Sequence, residues 1–257
     1  MRHAKKSLGQ NFLIDLNIIR KIVNLIEIKN KNVIEIGPGK GALTNLILQK
    51  KPKFLTLVEK DDILFQDLKL KYKNINNLRI INKDILKFNF EKNLKNNTVI
   101  FGNLPYNIAS QILTQILRLK WPSKYSDLIF MFQKEVGERI IATKGKKKGI
   151  LSVLIQTYYN VEYCLTLNEQ VFHPPPKVKS AVLRFSRNNR LTLKNEMLFF
   201  QIVKSGFNQR RKILKNALKT FDILESEKTN YLLNLRAEEL TIEDFINITK
   251  NVRKNKN

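Results

Sequence analysis

Short apolar runs rich in β-branched residues alternate along the chain with segments of helical spacing, and this alternation constrains the fold more than any other feature. Such alternation is typical of a parallel sheet covered by helices on both faces, because each helix crosses over to begin the next parallel strand. Strands are predicted at residues 32–36, 54–58, 78–81, 98–101 and 127–132, and helices at residues 15–28, 42–48, 61–71 and 134–143. The sequence therefore predicts an α/β fold.

The last two predicted strands, residues 161–167 and 178–185, depart from this pattern. They follow a predicted helix at residues 150–159, but the segment between them, residues 171–177, is too proline-rich for a strand or a helix. We therefore expect them to be antiparallel neighbours that close one edge of the sheet. Beyond residue 190 the β signals stop and residues 191–257 are predicted to be helical, which indicates a domain boundary near residue 190.

The formal net charge of +25 indicates a polyanionic partner, with nucleic acid the first candidate. Residues 191–257 hold 13 basic and 8 acidic residues, a net charge of +5, so the first 190 residues carry the remaining +20. The basic character is therefore not confined to a tail.

Composition also argues against several classes of site. A single cysteine, Cys164, excludes an internal disulfide and a thiolate-rich zinc site. Two histidines make a histidine metal site or a Ser-His-Asp triad a poor hypothesis, so no metal is expected. No apolar run approaches 18 residues and no signal-peptide core follows the basic N-terminus, so we expect a cytoplasmic protein with no membrane partner.

A glycine-rich loop follows the first predicted strand of the alternating pattern. Gly37, Gly39 and Gly41 lie between that strand and a helix, where backbone amides and the positive end of a helix can meet a nucleotide-type ligand. Their spacing differs from the dinucleotide fingerprint, which needs a third glycine one residue later.

Carboxylates follow the next two strands. Glu59 can accept both ribose hydroxyls, and Asp84 can accept a hydrogen bond from a nucleoside amine. Either residue alone is more often a solvated loop carboxylate, but their succession on consecutive strand ends favours a nucleoside cofactor. S-adenosylmethionine fits this set better than a dinucleotide, which would need space for a pyrophosphate and the fuller glycine pattern.

The turn Asn103-Leu104-Pro105-Tyr106 links the fourth strand to a helix. The Asn103 amide oxygen and the Leu104 carbonyl can both accept hydrogen bonds from one exocyclic amine, and the Tyr106 ring can lie against a base. Pro105 stiffens the turn. The alternative is a strand-to-helix turn that needs asparagine and proline only for its shape.

The chain resembles the ribosomal RNA adenine dimethyltransferases from about residue 5 to at least residue 220. It looks most like their bacterial small-subunit branch, which dimethylates two neighbouring adenines near the 3′ end of the RNA. The matching motifs are Lys6-Ser7-Leu8-Gly9-Gln10-Asn11-Phe12-Leu13, Glu35-Ile36-Gly37-Pro38-Gly39, Gly102-Asn103-Leu104-Pro105-Tyr106-Asn107, Phe132-Gln133-Lys134-Glu135-Val136, Phe172-His173-Pro174-Pro175-Pro176-Lys177-Val178 and Phe207-Asn208-Gln209-Arg210-Arg211-Lys212.

The resemblance implies a Rossmann-like S-adenosylmethionine-dependent methyltransferase sheet, mostly parallel with an antiparallel edge pair, and a small all-α C-terminal domain. Residues 1–190 would form the catalytic domain with a basic N-terminal lid, and residues 191–257 a helical RNA-binding domain. The implied cofactor is S-adenosyl-L-methionine and the product S-adenosyl-L-homocysteine. The implied partner is small-subunit ribosomal RNA within a pre-30S particle, bound by a monomer.

Individual residue roles also follow from the resemblance. Implied cofactor contacts are Asn11, Leu13, Gly37, Glu59, Asp84 and Asn103, and the implied catalytic set is Asn103, Leu104, Pro105, Tyr106 and Phe172. In this set Phe172 would stack on the extruded adenine opposite Tyr106. His173 stands where the family pattern has a small polar residue, and Lys40 has no implied role.

Basic clusters are candidates for phosphate contacts, although a solvated surface is the alternative for each lysine run. The candidates are Lys5, Lys6, Lys146, Lys147, Lys148, Arg210, Arg211 and Lys212. Two other functions remain open: methylation of large-subunit RNA of the antibiotic-resistance type, and a non-catalytic assembly or nucleic-acid-binding factor on the same fold.

Overall fold

The computed structural model describes residues 10–104, 108–117, 125–188, 193 and 195–253. Its elements in chain order are β1 (Phe12–Leu13), α1 (Leu16–Val23), β2 (Asn32–Ile36), α2 (Ala42–Gln49), β3 (Phe54–Glu59), α3 (Asp62–Lys71), β4 (Leu78–Asn82), α4 (Phe90–Asn93), β5 (Thr98–Asn103), α5 (Ala109–Leu117), β6 (Tyr125–Gln133), α6 (Lys134–Ile141), α7 (Ile150–Tyr158), β7 (Tyr159–Leu167), β8 (Phe172–His173), β9 (Ser180–Arg187), α8 (Glu196–Asn208), α9 (Leu214–Ala217), α10 (Glu227–Leu233) and α11 (Ile242–Lys250). Short 3₁₀ helices lie at Ile85–Lys87 and Glu169–Val171.

Seven of these strands form one sheet in the order β4-β3-β2-β5-β6-β9-β7, and β1 pairs with β8 in a separate two-stranded sheet. The pairs from β4 through to β6 are parallel, whereas β9 runs antiparallel to β6. The predicted α/β class with a mostly parallel sheet is confirmed. As predicted, β7 and β9 are neighbours at one edge.

The central strands are buried on both faces, which explains why they are continuous apolar runs in the sequence. Val99, Ile100 and Phe101 of β5 are all fully buried. Helix α1 is shorter than predicted and ends at Val23. The apolar spacing continues beyond that point because the following segment, including Ile28, is buried in the same core without being helical.

The chain divides into two compact units. The first contains Met1–Gly137 and Val161–Arg187, and the second contains Glu138–Asn160 and Asn188–Asn257. The second unit therefore includes a segment from the middle of the chain, whereas the sequence predicted one division near residue 190. The assignment of catalysis to residues 1–190 and RNA binding to residues 191–257 stays a prediction.

The second unit has its own apolar core, formed mainly by helices. The Phe207 and Phe245 rings are stacked there with their centroids 5.9 Å apart, and Val153 of α7 packs in the same cluster. Among the helices in the described part of the chain, none combines the length and apolar character needed to span a bilayer.

Candidate active site

A cleft of about 630 Å³ opens in the first unit, where β2, β3 and β5 reach their carboxyl ends. Open parallel sheets bind their ligands at this edge. Most of the sequence-predicted cofactor and catalytic residues among the described residues meet here. The lining residues are Gln10, Asn11, Phe12, Leu13, Ile14, Leu16, Ile19, Glu35, Ile36, Gly37, Pro38, Gly39, Lys40, Ala42, Leu43, Val58, Glu59, Lys60, Leu64, Lys83, Asp84, Ile85, Gly102, Asn103, Leu104, Ile108 and His173.

The glycine loop joins β2 to α2 along one wall of the cleft. Gly39 and Gly41 have φ values of +58° and +79°, a left-handed conformation that side chains other than glycine adopt at a cost. Gly41 is the N-cap of α2. The loop thus turns sharply and brings backbone close to the cleft.

Glu59 lies at the end of β3 and holds this loop. Its two carboxylate oxygens accept hydrogen bonds from the Gly39 N–H at 3.1 Å and the Asp61 N–H at 2.9 Å. Burial raises the pKa of Glu59, and the backbone hydrogen bonds act against that rise. Because a carboxylate has about four acceptor positions, it can still accept hydrogen bonds from a ligand.

Asp84 follows β4 and caps the 3₁₀ helix by accepting a hydrogen bond from the Leu86 N–H at 3.0 Å. Its other oxygen lies 2.8 Å from the Lys60 ammonium. The hydrogen bond from Lys60 is the main reason that the pKa of Asp84 is lowered. The predicted adenine-facing carboxylate is therefore ionised and paired with a lysine that sequence reasoning did not single out.

Asn103 ends β5, and its side-chain nitrogen donates a hydrogen bond to the Asn11 carbonyl at 3.0 Å. Only the nitrogen end of an amide can donate to a carbonyl, so this contact determines which way the amide is turned. The amide oxygen is thereby left as the acceptor at the other end of the group.

Strand β1 lines the cleft and pairs antiparallel with β8, with Phe12 opposite His173 and Leu13 opposite Phe172. Adjacent residues in a strand face opposite sides. His173 accordingly lines the cleft, whereas Phe172 is only 3% exposed and packs in the core of the first unit. A contact between Phe172 and a base in the cleft would require the ring to leave that core, and the stacking role stays a prediction.

Glu35 is a site residue to which the sequence analysis gave no role. It is 2% exposed, lines the cleft and accepts a hydrogen bond from the Thr44 hydroxyl at 2.7 Å. Burial raises its pKa to about 7, and the nearby Glu59 adds to the rise. Its position in the motif Glu35-Ile36-Gly37-Pro38-Gly39, two residues before Gly37, was the signal that could have identified it.

The basic candidates in the second unit have different environments. Lys146, Arg211 and Lys212 are exposed. The Lys147 ammonium pairs with Glu138 at 2.6 Å.

Lys148 differs from its predicted surface role. It is 3% exposed, its ammonium donates to the Leu240 carbonyl, and burial lowers its pKa. A lysine whose ammonium is bonded to a backbone carbonyl in the interior does not present that ammonium to a phosphate.

Arg210 also has a structural role that the sequence did not predict. One guanidinium nitrogen donates to the Lys146 carbonyl at 2.7 Å, to the Lys148 carbonyl at 3.0 Å and to Glu238 at 2.9 Å. Arg210 therefore holds the loop at residues 146–148. Lys5, Lys6, Pro105 and Tyr106 lie outside the described residues.

The model of the ribosomal RNA adenine dimethylase family matches residues 1–254. The chain belongs to this family. It is therefore a ribosomal RNA adenine dimethyltransferase, and the resemblance inferred from its motifs is confirmed. In the part of the chain that the structure describes, no cluster of three metal-ligating side chains occurs.

Two relatives show how far the similarity extends. "Ribosomal RNA small subunit methyltransferase A" of Flavobacterium johnsoniae is 42% identical over 253 residues, which cover 97% of this chain and 95% of that protein. The protein of the same name from Bacteroides fragilis is 44% identical over 257 residues, covering 96% of this chain and 92% of the relative.

Solved structures share the fold at lower identity. A dimethyladenosine transferase from Plasmodium falciparum has a TM-score of 0.81 and 22% identity, with 94% of this chain and 99% of that chain covered. The 23S rRNA methyltransferase ErmE has a TM-score of 0.74 and 20% identity, with 95% and 100% covered. At these identities the likeness concerns the fold, and it confirms the methyltransferase sheet.

Proposed function

We propose that this chain uses S-adenosyl-L-methionine to dimethylate two adjacent adenines near the 3′ end of small-subunit ribosomal RNA. The observation that carries the proposal is the orientation of the Asn103 amide. Its nitrogen is bonded to the Asn11 carbonyl, so its oxygen is the acceptor available in a cleft also lined by the glycine loop and Glu59. An acceptor beside a nucleoside-binding cleft is what an adenine amine needs.

The cleft suits the proposed cofactor. Its volume of about 630 Å³ lies in the usual range for small-molecule sites. In this arrangement Glu59 accepts the ribose hydroxyls, Asp84 accepts a hydrogen bond from the cofactor's adenine, and Gly37 contacts the methionine end through its backbone. Asn11 and Leu13 cover that end from β1. When bound, the cofactor supplies an electrophilic methyl group on a sulfonium.

The chemistry required of the protein is positioning and electrostatics rather than proton abstraction. The adenine amine is a poor nucleophile because its lone pair is delocalised into the ring. Hydrogen bonds from that amine to the Asn103 oxygen and the Leu104 carbonyl favour a pyramidal nitrogen and free the lone pair. No histidine base is needed, since the methylated ammonium is acidic.

Base recognition is proposed for Tyr106 and Phe172 on opposite faces of an extruded adenine. Extrusion costs on the order of a few kcal/mol. Stacking on aromatic side chains contributes about 1–3 kcal/mol of favourable free energy per base, which offsets that cost. Net affinity must therefore come from elsewhere, and contacts with the phosphates are the main candidates.

For phosphate binding we propose the exposed Lys146, Arg211 and Lys212, together with Lys5 and Lys6. Each phosphate contact that is removed should reduce the slope of log affinity against log salt by about one. Lys146→Gln is therefore expected to lower the slope. Lys148→Gln should leave it unchanged, and a lower slope with Lys148→Gln would restore Lys148 as an RNA contact.

Small-subunit RNA is favoured over large-subunit RNA because the relatives at 42–44% identity carry small-subunit names. The deciding experiment incubates the protein and labelled cofactor with undermethylated small subunits and, in parallel, with large subunits. We expect two adjacent dimethyladenines in small-subunit RNA. Modification confined to large subunits would contradict the proposed substrate, and no transfer to either would favour a non-catalytic factor. A pre-30S substrate, a monomeric enzyme and a cytoplasmic location are parts of the same proposal.

Two variants test the residue roles. Asn103→Ala should abolish methyl transfer while the RNA dissociation constant stays within about threefold. Near-normal transfer would remove Asn103 from the mechanism. Glu59→Ala should raise the cofactor dissociation constant about tenfold or more because ribose acceptors are lost. Glu27→Ala, which removes an exposed carboxylate, serves as its control.

A further inference from the structure

Phe12 is a residue of β1 whose side chain contacts the glycine loop. Its ring lies directly against Gly39, since a Cβ atom at that position would come within 2.9 Å of the Phe12 Cδ1 atom. The Lys40 ammonium lies 5.0 Å from the ring centroid, a cation–π distance. The ring is therefore held between backbone on one side and a cation from the same loop.

The residue before Phe12 contacts Asn103. The Asn11 carbonyl accepts the hydrogen bond from the Asn103 side-chain nitrogen at 3.0 Å. A shift of β1 would move this carbonyl away and leave the amide free to rotate. The direction of the Asn103 oxygen thus depends on where β1 lies.

Pairing with β8 holds the other side of β1. Phe12 is opposite His173, and the Ile14 N–H donates to the Val171 carbonyl at 2.9 Å. Such a short pair has few hydrogen bonds of its own, so β1 depends on side-chain packing as well. Leu13 is buried in the core of the first unit, and the packing of Phe12 on the glycine loop is a further contact that holds β1 in place.

We propose that Phe12 is a positioning residue for methyl transfer. Its packing against Gly39 and beneath Lys40 keeps the Asn11 carbonyl in place, and that carbonyl turns the Asn103 oxygen toward the adenine amine. The proposal rests on the proposed function of the cleft, and it gives Lys40 a role that the sequence analysis left open.

The kinetic test measures the single-turnover rate of methyl transfer at saturating cofactor. Phe12→Ala is expected to lower this rate about tenfold or more, because small misplacements of reacting groups are costly. Phe12→Tyr keeps the ring and should restore the rate to within about threefold. Phe12→Leu keeps apolar bulk without a ring and replaces the alanine variant if that protein does not fold.

Phe65→Ala is the matched control, since Lys69 lies 5.4 Å from the Phe65 ring centroid and neither residue lines the cleft. It should leave the rate unchanged. A Phe12→Ala protein that needs more cofactor but reaches the full rate at saturation would overturn the proposal, because Phe12 would then only cover the donor.

A spectroscopic measurement tests the link to Asn103 without any methyl transfer, so it remains decisive even if the proposed reaction fails. The side-chain amide resonances of Asn103 are identified by their loss in Asn103→Ala. In Phe12→Ala they should move toward the shifts of solvent-exposed amides, and in Phe65→Ala they should stay in place. Unchanged Asn103 resonances in Phe12→Ala would refute the positioning role.

Discussion

Replacement of Glu35 by glutamine should stabilise the folded protein, and the gain should grow with pH. Burial raises the pKa of Glu35 from its usual 4.5 to about 7. The folded state therefore binds the Glu35 proton more tightly than the unfolded state does. Between these two values the unfolded chain ionises first, so wild-type stability falls as pH rises.

The expected size follows from the pKa difference. The rise from 4.5 to about 7 corresponds to about 3 kcal/mol at roughly 1.4 kcal/mol per pKa unit. Well below pH 4.5 Glu35 is protonated in both the folded and the unfolded state, so it does not lower wild-type stability. Above about pH 7 it is ionised in both states, and the full loss of wild-type stability is present. The oxygen of a glutamine can still accept the hydrogen bond from Thr44, so Glu35→Gln removes the charge and keeps that contact.

The assay is equilibrium urea unfolding of wild type and Glu35→Gln from pH 4.5 to pH 8. The difference between the two proteins cancels the titrating groups that do not interact with Glu35, and it should change by about 3 kcal/mol in favour of the variant. Glu27→Gln is a control for which the stability difference should change with pH in the opposite direction, in favour of wild type. The reason is that the backbone hydrogen bond from Lys29 lowers the pKa of the exposed Glu27. A difference that stays flat for Glu35→Gln would refute the reasoning.

Two further predictions concern backbone and surface positions. Gly39→Ala should destabilise the protein more than Gly145→Ala does. Both glycines have a positive φ, and an alanine in that conformation costs about 1–2 kcal/mol, but of the two only Gly39 has a side chain, the Phe12 ring, where the new Cβ would lie. Equal losses of stability in thermal unfolding would contradict this. Arg210→Ala should cost about 1–3 kcal/mol of stability because three acceptors lose their donor. Arg211→Ala should leave stability unchanged and lower the slope of log RNA affinity against log salt by about one. A loss of stability in Arg211→Ala together with a lower slope in Arg210→Ala would mean that Arg211 has the structural role and Arg210 the RNA contact.

Much of the fold was predictable because its signals are local. Strand β2 was predicted with its observed bounds, since a strand buried on both faces is a continuous apolar run between turn residues. Gly37, Glu59, Asp84 and Asn103 could be placed in one cleft because parallel strands bring their carboxyl ends to one edge. The family motifs added the chemistry.

The sequence by itself thus determined the order of strands and helices in the main sheet, the family and the residues at the strand ends. It did not predict the two-stranded pair of β1 and β8, and the expectation that residues 171–177 hold no strand was wrong, because Phe172 and His173 pair with a segment far away in the chain. Only the tertiary structure decided which groups those residues contact. It paired Lys60 with Asp84, turned the Asn103 amide onto the Asn11 carbonyl and buried Lys148 against Leu240. The physical reason is that burial and hydrogen-bond partners depend on residues far apart in the chain, whereas propensity and spacing report only on near neighbours.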